Sequence, residues 1–137
     1  MNEQYLFRGK RKDNDEWIEG NLVYSQTTTR GVITEIYTLE MTYEVIPETV
    51  GRCTGLKDKN GKLIFEGDVL ESRASENKED WKRWVVVFFD GSFCFEREIP
   101  KKRKYKHEQN LLCADNVELY GLAVIGNIHD NKDLLEA

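Results

Sequence analysis

Residues 54–68, TGLKDKNGKLIFEGD, bring glycines, carboxylates and amides together at the short spacings of ligand-binding loops. A calcium loop of the EF-hand type requires oxygen ligands at positions 1, 3 and 5, glycine at position 6 and glutamate at position 12. With Gly61 at position 6, Asp58 falls correctly at position 3, but Leu56 and Gly67 occupy positions 1 and 12. Because neither of those side chains can ligate calcium, the spacing argues against a calcium site.

A phosphate-binding loop also matches these glycines poorly. The P-loop pattern G-x-x-x-x-G-K-[ST] places four residues between its glycines and a hydroxyl residue after the lysine. Here five residues separate Gly55 from Gly61, and the lysine is followed by Leu63. A tight turn suits the same residues, because Asn60 and Gly61 readily adopt positive φ angles. We therefore predict a turn that leads into a strand, which bends at Gly67.

Glu66 and Asp68 are the candidates for acid–base chemistry in this stretch. Two carboxylates can act as general acid and general base, and residues two apart on a strand share one face. At a β bend such carboxylates more often accept hydrogen bonds from backbone amides, and no histidine or metal-ligand partner is recognisable beside them. We therefore expect no catalytic residues, and an enzyme that uses this pair is the third of our function hypotheses.

The rest of the sequence lacks the signatures of common catalytic and metal sites. No G-x-S-x-G, H-E-x-x-H or G-x-G-x-x-G is present. No C-x-x-C or H-x-x-x-H spacing, as structural zinc ligands use, occurs among Cys53, Cys94, Cys113, His107 and His129. We expect no metal and no cofactor, and we expect Cys94 to pack as a small apolar residue.

Composition predicts a soluble protein of one domain. The 137 residues suffice for one buried core, and 25 acidic against 20 basic residues give a net charge of −5, so the chain as a whole is not attracted to nucleic acid or anionic membranes. No apolar run approaches the roughly 18 residues of a membrane span, and the N-terminus has no signal-peptide pattern. Three cysteines without a close pair fit a reducing compartment. We expect a cytoplasmic protein without a membrane partner.

Short β-rich runs separated by turn residues predict a mainly β fold. Residues 13–15 are expected to join the first two strands, and residues 27–31 the second and third. Asp90-Gly91 is the strongest hairpin signal in the sequence. The run from Trp84 to Phe89 before it is apolar at every position, which predicts a strand that is covered on both faces or curls inside a barrel.

The C-terminal third is expected to complete the fold. Residues 118–128 are predicted to form the last strand, and residues 131–137 a short C-terminal helix that Asn131 or Asp130 caps. The bend at EGDVL, followed by a long strand, a hairpin and a closing strand, resembles small SH3-like barrels, and this fold analogy carries no information on function.

The predicted architecture is one domain over residues 1–137. It has an N-terminal β-hairpin region at about 5–45 and a small SH3-like barrel core at about 46–130.

Two basic segments interrupt the otherwise acidic chain. The first is residues 8–12, RGKRK, and the second comprises Lys101, Lys102, Arg103, Lys104, Tyr105 and Lys106. Their cations could contact phosphates while the tyrosine stacks on a base, and such binding would depend strongly on salt. A solvated connector explains the same charges, and Asp13, Asp15 and Glu16 dilute the field of the first segment.

The tryptophans are the best candidate anchors for a protein interface. For Trp84 we predict a place in the core. Trp17 and Trp81 are the candidates for an exposed position, Trp81 because it follows a polar loop and precedes Lys82 and Arg83.

Three ordered blocks of sequence resemble the YopX family of phage and prophage proteins. They are FRGKRKDNDEWIEGNLVY, IPETVGRCTGLKDKNGKLIFEGDVL and VIGNIHDNKDLL. The resemblance implies a small, mostly β protein encoded by a bacteriophage or prophage, acting in a bacterial host, in a family without an assigned activity. We interpret its motif residues as structural, and they are Thr54, Gly55, Asp58, Asn60, Gly61, Glu66, Gly67, Asp68, Gly126 and Asn127.

Three classes of function follow from these observations. The first is a non-enzymatic accessory protein that binds another protein or itself. The second is a nucleic-acid-binding module that uses segments 8–12 and 101–106, and the third is the enzyme that uses Glu66 and Asp68.

Overall fold

A computed structural model describes residues 5–100 and 105–135, without the side chains of residues 99, 100 and 105–107. The fold is mainly β, with two antiparallel sheets. The strands are β1 Phe7–Lys10, β2 Trp17–Gln26, β3 Val32–Tyr37, β4 Thr42–Glu44, β5 Gly51–Lys57, β6 Leu63–Phe65, β7 Asp68–Ser72, β8 Lys82–Phe89, β9 Ser92–Pro100, β10 Tyr105–Leu111 and β11 Leu122–Asn127. The helices are α1, Ala114–Tyr120, and 3₁₀ turns at Pro47–Thr49, Lys78–Asp80 and Lys132–Leu135.

The chain forms two compact units, Met1–Cys53 and Thr54–Ala137, and β5 begins in the first and ends in the second. In the first unit β4, β3, β2 and β1 lie side by side as antiparallel neighbours, and the start of β5 pairs with β1. The predicted turns at 13–15 and 27–31 are confirmed, since β1 pairs with β2 and β2 pairs with β3 on either side of them.

A small apolar core lies in the first unit. Ile36 and Val45 are buried, as is Cys53 near the end of the unit. Ile36 lies opposite Leu22 on β2 and Tyr43 on β4, so the three side chains share one face of the sheet. Burying this face stabilises the meander, since a pair of strands alone is marginal in water.

The second unit contains a five-stranded antiparallel sheet in the order β10-β9-β8-β7-β11. Its central hairpin confirms the prediction at Asp90-Gly91. Phe89 pairs with Ser92 across the two-residue turn, and the φ angles of 52° at Asp90 and 82° at Gly91 are both positive. These are the angles that a type I′ turn needs, and an Asp-Gly pair adopts them at low cost.

The core of the second unit is built on one face of this sheet. Trp84 is buried, as predicted, and packs edge-to-face against Phe95 at 5.0 Å and Tyr120 at 6.2 Å between ring centroids. The Trp84 indole N–H donates to Ser72 Oγ at 3.2 Å, which satisfies its polar atom in the core. The buried residues of this cluster are Ile64, Leu70, Trp84, Val86, Phe95, Leu112, Val117 and Leu122.

Helix α1 corrects the prediction of one strand over residues 118–128. The helix continues through Tyr120 and ends at Gly121, whose φ of 61° and ψ of 49° place it in the left-handed region. Val117 and Tyr120, three residues apart, pack on the core. Strand β11 starts only after this glycine, so Gly121 is a helix cap rather than an interruption in a strand.

Two other predictions hold only in part. The C-terminal helix is a single 3₁₀ turn over Lys132–Leu135, and residues 136 and 137 lie outside the described residues. The Asn131 side chain accepts the Asn127 N–H at 3.3 Å, which differs from the predicted cap, since a cap accepts an N–H of the helix that follows it. No closed barrel is found among the described strands, so the SH3-like core is not confirmed, whereas the mainly β class is.

Candidate functional surface

The motif centred on Asp58 is a structural anchor. Asp58 Oδ1 accepts the N–H groups of Asn60 at 2.8 Å and Lys62 at 2.9 Å, while Oδ2 accepts the Val124 N–H at 2.8 Å. The residue is buried, with 6% of its surface exposed. Its carboxylate therefore closes its own turn and also ties that turn to β11, as the structural interpretation predicts.

The turn itself differs from the predicted one in a single residue. Gly61 has a positive φ of 85°, but Asn60 does not, so the expectation that both residues adopt positive φ is wrong for Asn60. The Gly61 N–H donates to the Asp58 carbonyl at 3.0 Å and the Asp58 N–H to the Lys62 carbonyl at 2.8 Å. One left-handed residue, the glycine, is enough to reverse the chain in this turn.

Glu66 and Asp68 do not share a strand face. Glu66 and Gly67 form the turn between β6 and β7, and Asp68 begins β7. Asp68 is buried and its Oδ2 accepts the Phe65 N–H at 2.7 Å, the backbone role that the sequence favours. Among the described residues, no group of three histidine, cysteine or acidic side chains could hold a metal.

The C-terminal motif residues also act within the fold. Asn127 Oδ1 accepts the N–H groups of His129 and Asp130, each at 2.9 Å, which closes the turn after β11. A Cβ at Gly126 would lie 2.5 Å from Asn131 Oδ1 and 2.7 Å from Leu134 Cδ1. A side chain at this position would therefore displace the Asn131 and Leu134 side chains, because this turn packs directly against the strand.

In the first basic segment, the cations of residues 8–12 contact neighbouring side chains. The Arg11 guanidinium bonds Asp13 at 2.6 Å and lies over the Tyr43 ring at 4.2 Å. The Asp13 hydrogen bond raises the pKa of Arg11, and the same bond from Arg11 lowers the pKa of Asp13. Lys12 pairs with Glu44 at 3.3 Å. The cations of Arg11 and Lys12, which phosphate binding would need, are therefore already paired with carboxylates.

Glu44 joins this segment to the loop before β3. It bonds Arg30 and Lys12 together, and these two cations, Arg30 first, lower the pKa of its carboxyl. Exposed pairs of this kind contribute little to stability, but they do offset the basic charge of the segment.

The second basic segment lies mostly outside the described residues. Lys101, Lys102, Arg103 and Lys104 are not described, and Tyr105 and Lys106 begin β10, paired through their backbones with Pro100 and Ile99. Nucleic-acid binding by this segment stays a prediction.

Both candidate interface tryptophans are half-buried. Trp17 has the Arg8 guanidinium 4.8 Å and the Lys10 ammonium 5.5 Å from its ring centroid. Trp81 donates its indole N–H to the Ser75 carbonyl at 2.8 Å, and Arg73 lies 5.2 Å from its ring. Their proposed role as interface anchors stays a prediction.

An exposed apolar surface at the β8–β9 turn is the feature that sequence reasoning missed. Phe89 is 60% exposed, Phe88 47% and Leu111 on β10 54%. Phe88 packs edge-to-face on Phe93 at 5.0 Å. The prediction that both faces of the Trp84–Phe89 run are covered is thus wrong at its last two residues, which extend beyond the packed part of the sheet.

One face of the sheet carries a continuous apolar stripe, which we define as Val87, Phe89, Cys94 and Leu111. Cys94 pairs with Val87 on one side and Leu111 on the other, and Phe89 lies one diagonal step away. Cys94 is buried at 8% exposure, and burial raises the pKa of its thiol. It therefore packs as an apolar residue within the stripe, as predicted.

Comparison with known proteins places the chain in a family. The family model of the YopX protein matches residues 6–136. The chain belongs to the YopX family. This confirms the resemblance carried by the three sequence blocks, while no curated protein matches the chain.

Two solved structures share the YopX fold with this chain. Protein EF1440 from Enterococcus faecalis is 26% identical, with a TM-score of 0.57, and the match covers 94% of this chain and 96% of that protein. Protein yopX from Bacillus subtilis is 18% identical, with a TM-score of 0.53 and 98% of both chains covered. Among residues 5–100 and 105–135, the structure contains no helix long and apolar enough to cross a membrane.

Proposed function

We propose that this YopX-family protein is a phage- or prophage-encoded accessory protein of the bacterial cytoplasm that acts, without catalysis, by binding another protein. The observation that carries the proposal is the apolar stripe, in which Phe89 and Leu111 are exposed. An aromatic side chain that is exposed at a tight turn leaves apolar surface in contact with water, which is unfavourable, and contiguous exposed apolar surface is typical of protein interfaces.

The interior contacts of the motif residues support the same proposal. Asp58, Asp68 and Asn127 direct their polar atoms to backbone amides of the fold. Residues that close turns in this way are explained by folding alone. The exposed apolar side chains at the β8–β9 turn have no such explanation, and so we assign binding to that surface.

The test uses Phe89→Ser beside Leu119→Ser, a matched control that removes an exposed apolar side chain from α1. Proteins cross-linked to the wild type in its host are identified, purified and titrated by calorimetry. We expect Phe89→Ser to weaken binding at least about tenfold, equivalent to about 1.4 kcal/mol, and Leu119→Ser to leave it unchanged. Equal binding by all three proteins would overturn the proposal.

Self-association is the second form of the same function. Light scattering across a range of concentrations distinguishes it from binding to another protein. A dimer that Phe89→Ser converts to a monomer would identify the partner as a second copy of this chain.

The nucleic-acid alternative has its own measurement. Labelled DNA and RNA are titrated at low and moderate salt with the wild type and with a variant that replaces Lys101, Lys102, Arg103 and Lys104 by alanine. We expect no binding in either case. Tight, salt-sensitive binding that the variant loses would put nucleic acid first.

A further inference from the structure

We propose that the apolar stripe receives a protein segment in which Lys or Arg residues flank apolar side chains. This inference rests on the proposed function and specifies the chemistry of the partner. Apolar contacts on Phe89 and Leu111 would provide the affinity, and charge would select the segment and orient it.

On the face that carries the stripe, the charged residues of the β8–β9 turn and of β9 are acidic. Asp90 lies in the turn, and Glu96 and Glu98 follow Cys94 at alternate positions of β9, which puts them on its face. Arg97 lies between these two glutamates on the opposite face, where its guanidinium is 5.3 Å from the Trp84 ring centroid and bonds Glu108 at 3.3 Å. The charges that β9 and its turn place on the stripe face are therefore acidic, and a basic partner is the one they attract.

The nearest arginine on the stripe face does not offset this charge. Arg83 lies on β8, two positions before Val85 and four before Val87, on the same face. Its guanidinium bonds Glu71 at 3.3 Å and the Leu134 carbonyl at 2.9 Å. Because this cation is already paired inside the unit, the stripe keeps its acidic surroundings.

The sheet gives such a segment a place to lie. β10 is an end strand of the five-stranded sheet and has β9 as its strand neighbour. An extended segment beside Glu108–Asn110 would direct alternate side chains toward the face that carries Leu111. Asn116 Nδ2 already donates to the Leu111 carbonyl at 2.6 Å, so the open edge ends there.

The experiment selects short random peptides from a yeast-display library on the immobilised wild-type protein. Affinities of the selected peptides are then measured at low and high salt. One variant, Asp90→Asn with Glu96→Gln, removes two charges beside the stripe and keeps side-chain size. Glu76→Gln with Glu79→Gln is its control, because it changes the net charge equally in the exposed loop before β8. The single variant Phe89→Ser tests the site itself, and the single variant Leu119→Ser is its control.

We expect selected peptides to combine Lys or Arg with aliphatic or aromatic residues. The charge-removing variant should bind them about tenfold more weakly and with a smaller salt dependence, while its control binds like the wild type.

Neutral or acidic peptides that still require Phe89 would overturn the inference and leave the proposed function standing. Peptides that bind Phe89→Ser as well as the wild type, or a library without a binder, would overturn both.

Discussion

Two turns of the second unit use an aspartate in opposite ways. At the turn after β5, Asp58 is buried and its carboxylate accepts three backbone N–H groups. At the turn after β8, Asp90 is exposed and contributes a left-handed backbone conformation between exposed Phe89 and Gly91. The first turn satisfies its polar groups inside the fold, whereas the second leaves apolar side chains in water.

The contrast shows where function is to be sought in this protein. The stretch with the most ligand-like residues is explained by folding, because its polar atoms are hydrogen-bonded within the unit. The less distinctive Asp-Gly hairpin carries exposed apolar side chains that folding does not explain. Our proposed function therefore rests on exposed apolar side chains and not on residue types that resemble a site.

The same substitution in both turns gives the largest expected difference. Asp58→Asn should lower the free energy of unfolding by roughly 2–3 kcal/mol, because its amide NH₂ would face an N–H group that the carboxylate now accepts. Asp90→Asn should change it by at most about 0.5 kcal/mol, since asparagine tolerates a positive φ at an exposed site. Urea unfolding measures both, and equal effects would remove the contrast between the two turns.

Gly126→Ala tests the packed turn after β11. Its Cβ would lie 2.5 Å from Asn131 Oδ1, so the Asn131 and Leu134 side chains must move, and we expect a loss of about 1–2 kcal/mol. Gly91→Asn is the comparison at the exposed turn, where a Cβ meets no atom within 4 Å but φ stays positive, and about 1 kcal/mol or less is expected. A larger loss of stability for Gly91→Asn than for Gly126→Ala would contradict the view that packing against Asn131 and Leu134 makes Gly126 the more sensitive position.

Phe89→Ser should be nearly neutral for folding. The side chain is 60% exposed, and surface substitutions of this kind change stability by about 0.5 kcal/mol. Phe95→Ala on β9 removes a fully buried ring and should cost about 3–5 kcal/mol, which calibrates the thermal unfolding measurement. Strong destabilisation by Phe89→Ser would instead make this ring part of the core.

The ion pairs of Glu44 should contribute the smallest of these effects on stability. Arg30 and Lys12 lower the pKa of its carboxyl, so the stabilising contribution is present above its ordinary pKa and lost as pH falls through the lowered value. NMR titration should show this pKa rising toward its ordinary range in Arg30→Gln. An unchanged pKa would show that the Arg30 pair does not persist in solution.

The sequence predicts the features that depend on residue type and short spacing. The Asp90-Gly91 turn, the turns at 13–15 and 27–31, the buried Trp84 and the structural role of Asp68 all follow from residue types and short spacings. Helix α1 could not be predicted in this way, because its seven residues carry too short an apolar pattern and Gly121 fits a strand as well as a helix cap.

The sequence by itself determined the β class, the positions of these turns and the family, because turn residues and ordered motifs act through neighbours along the chain. Only the tertiary structure decided that Asp58 reaches Val124, 66 residues away, and that Gly126 must accommodate Asn131 and Leu134. It also decided that Phe88 and Phe89 extend past the packed sheet. Burial depends on what the rest of the chain brings to each face, and apolarity along a strand does not specify that.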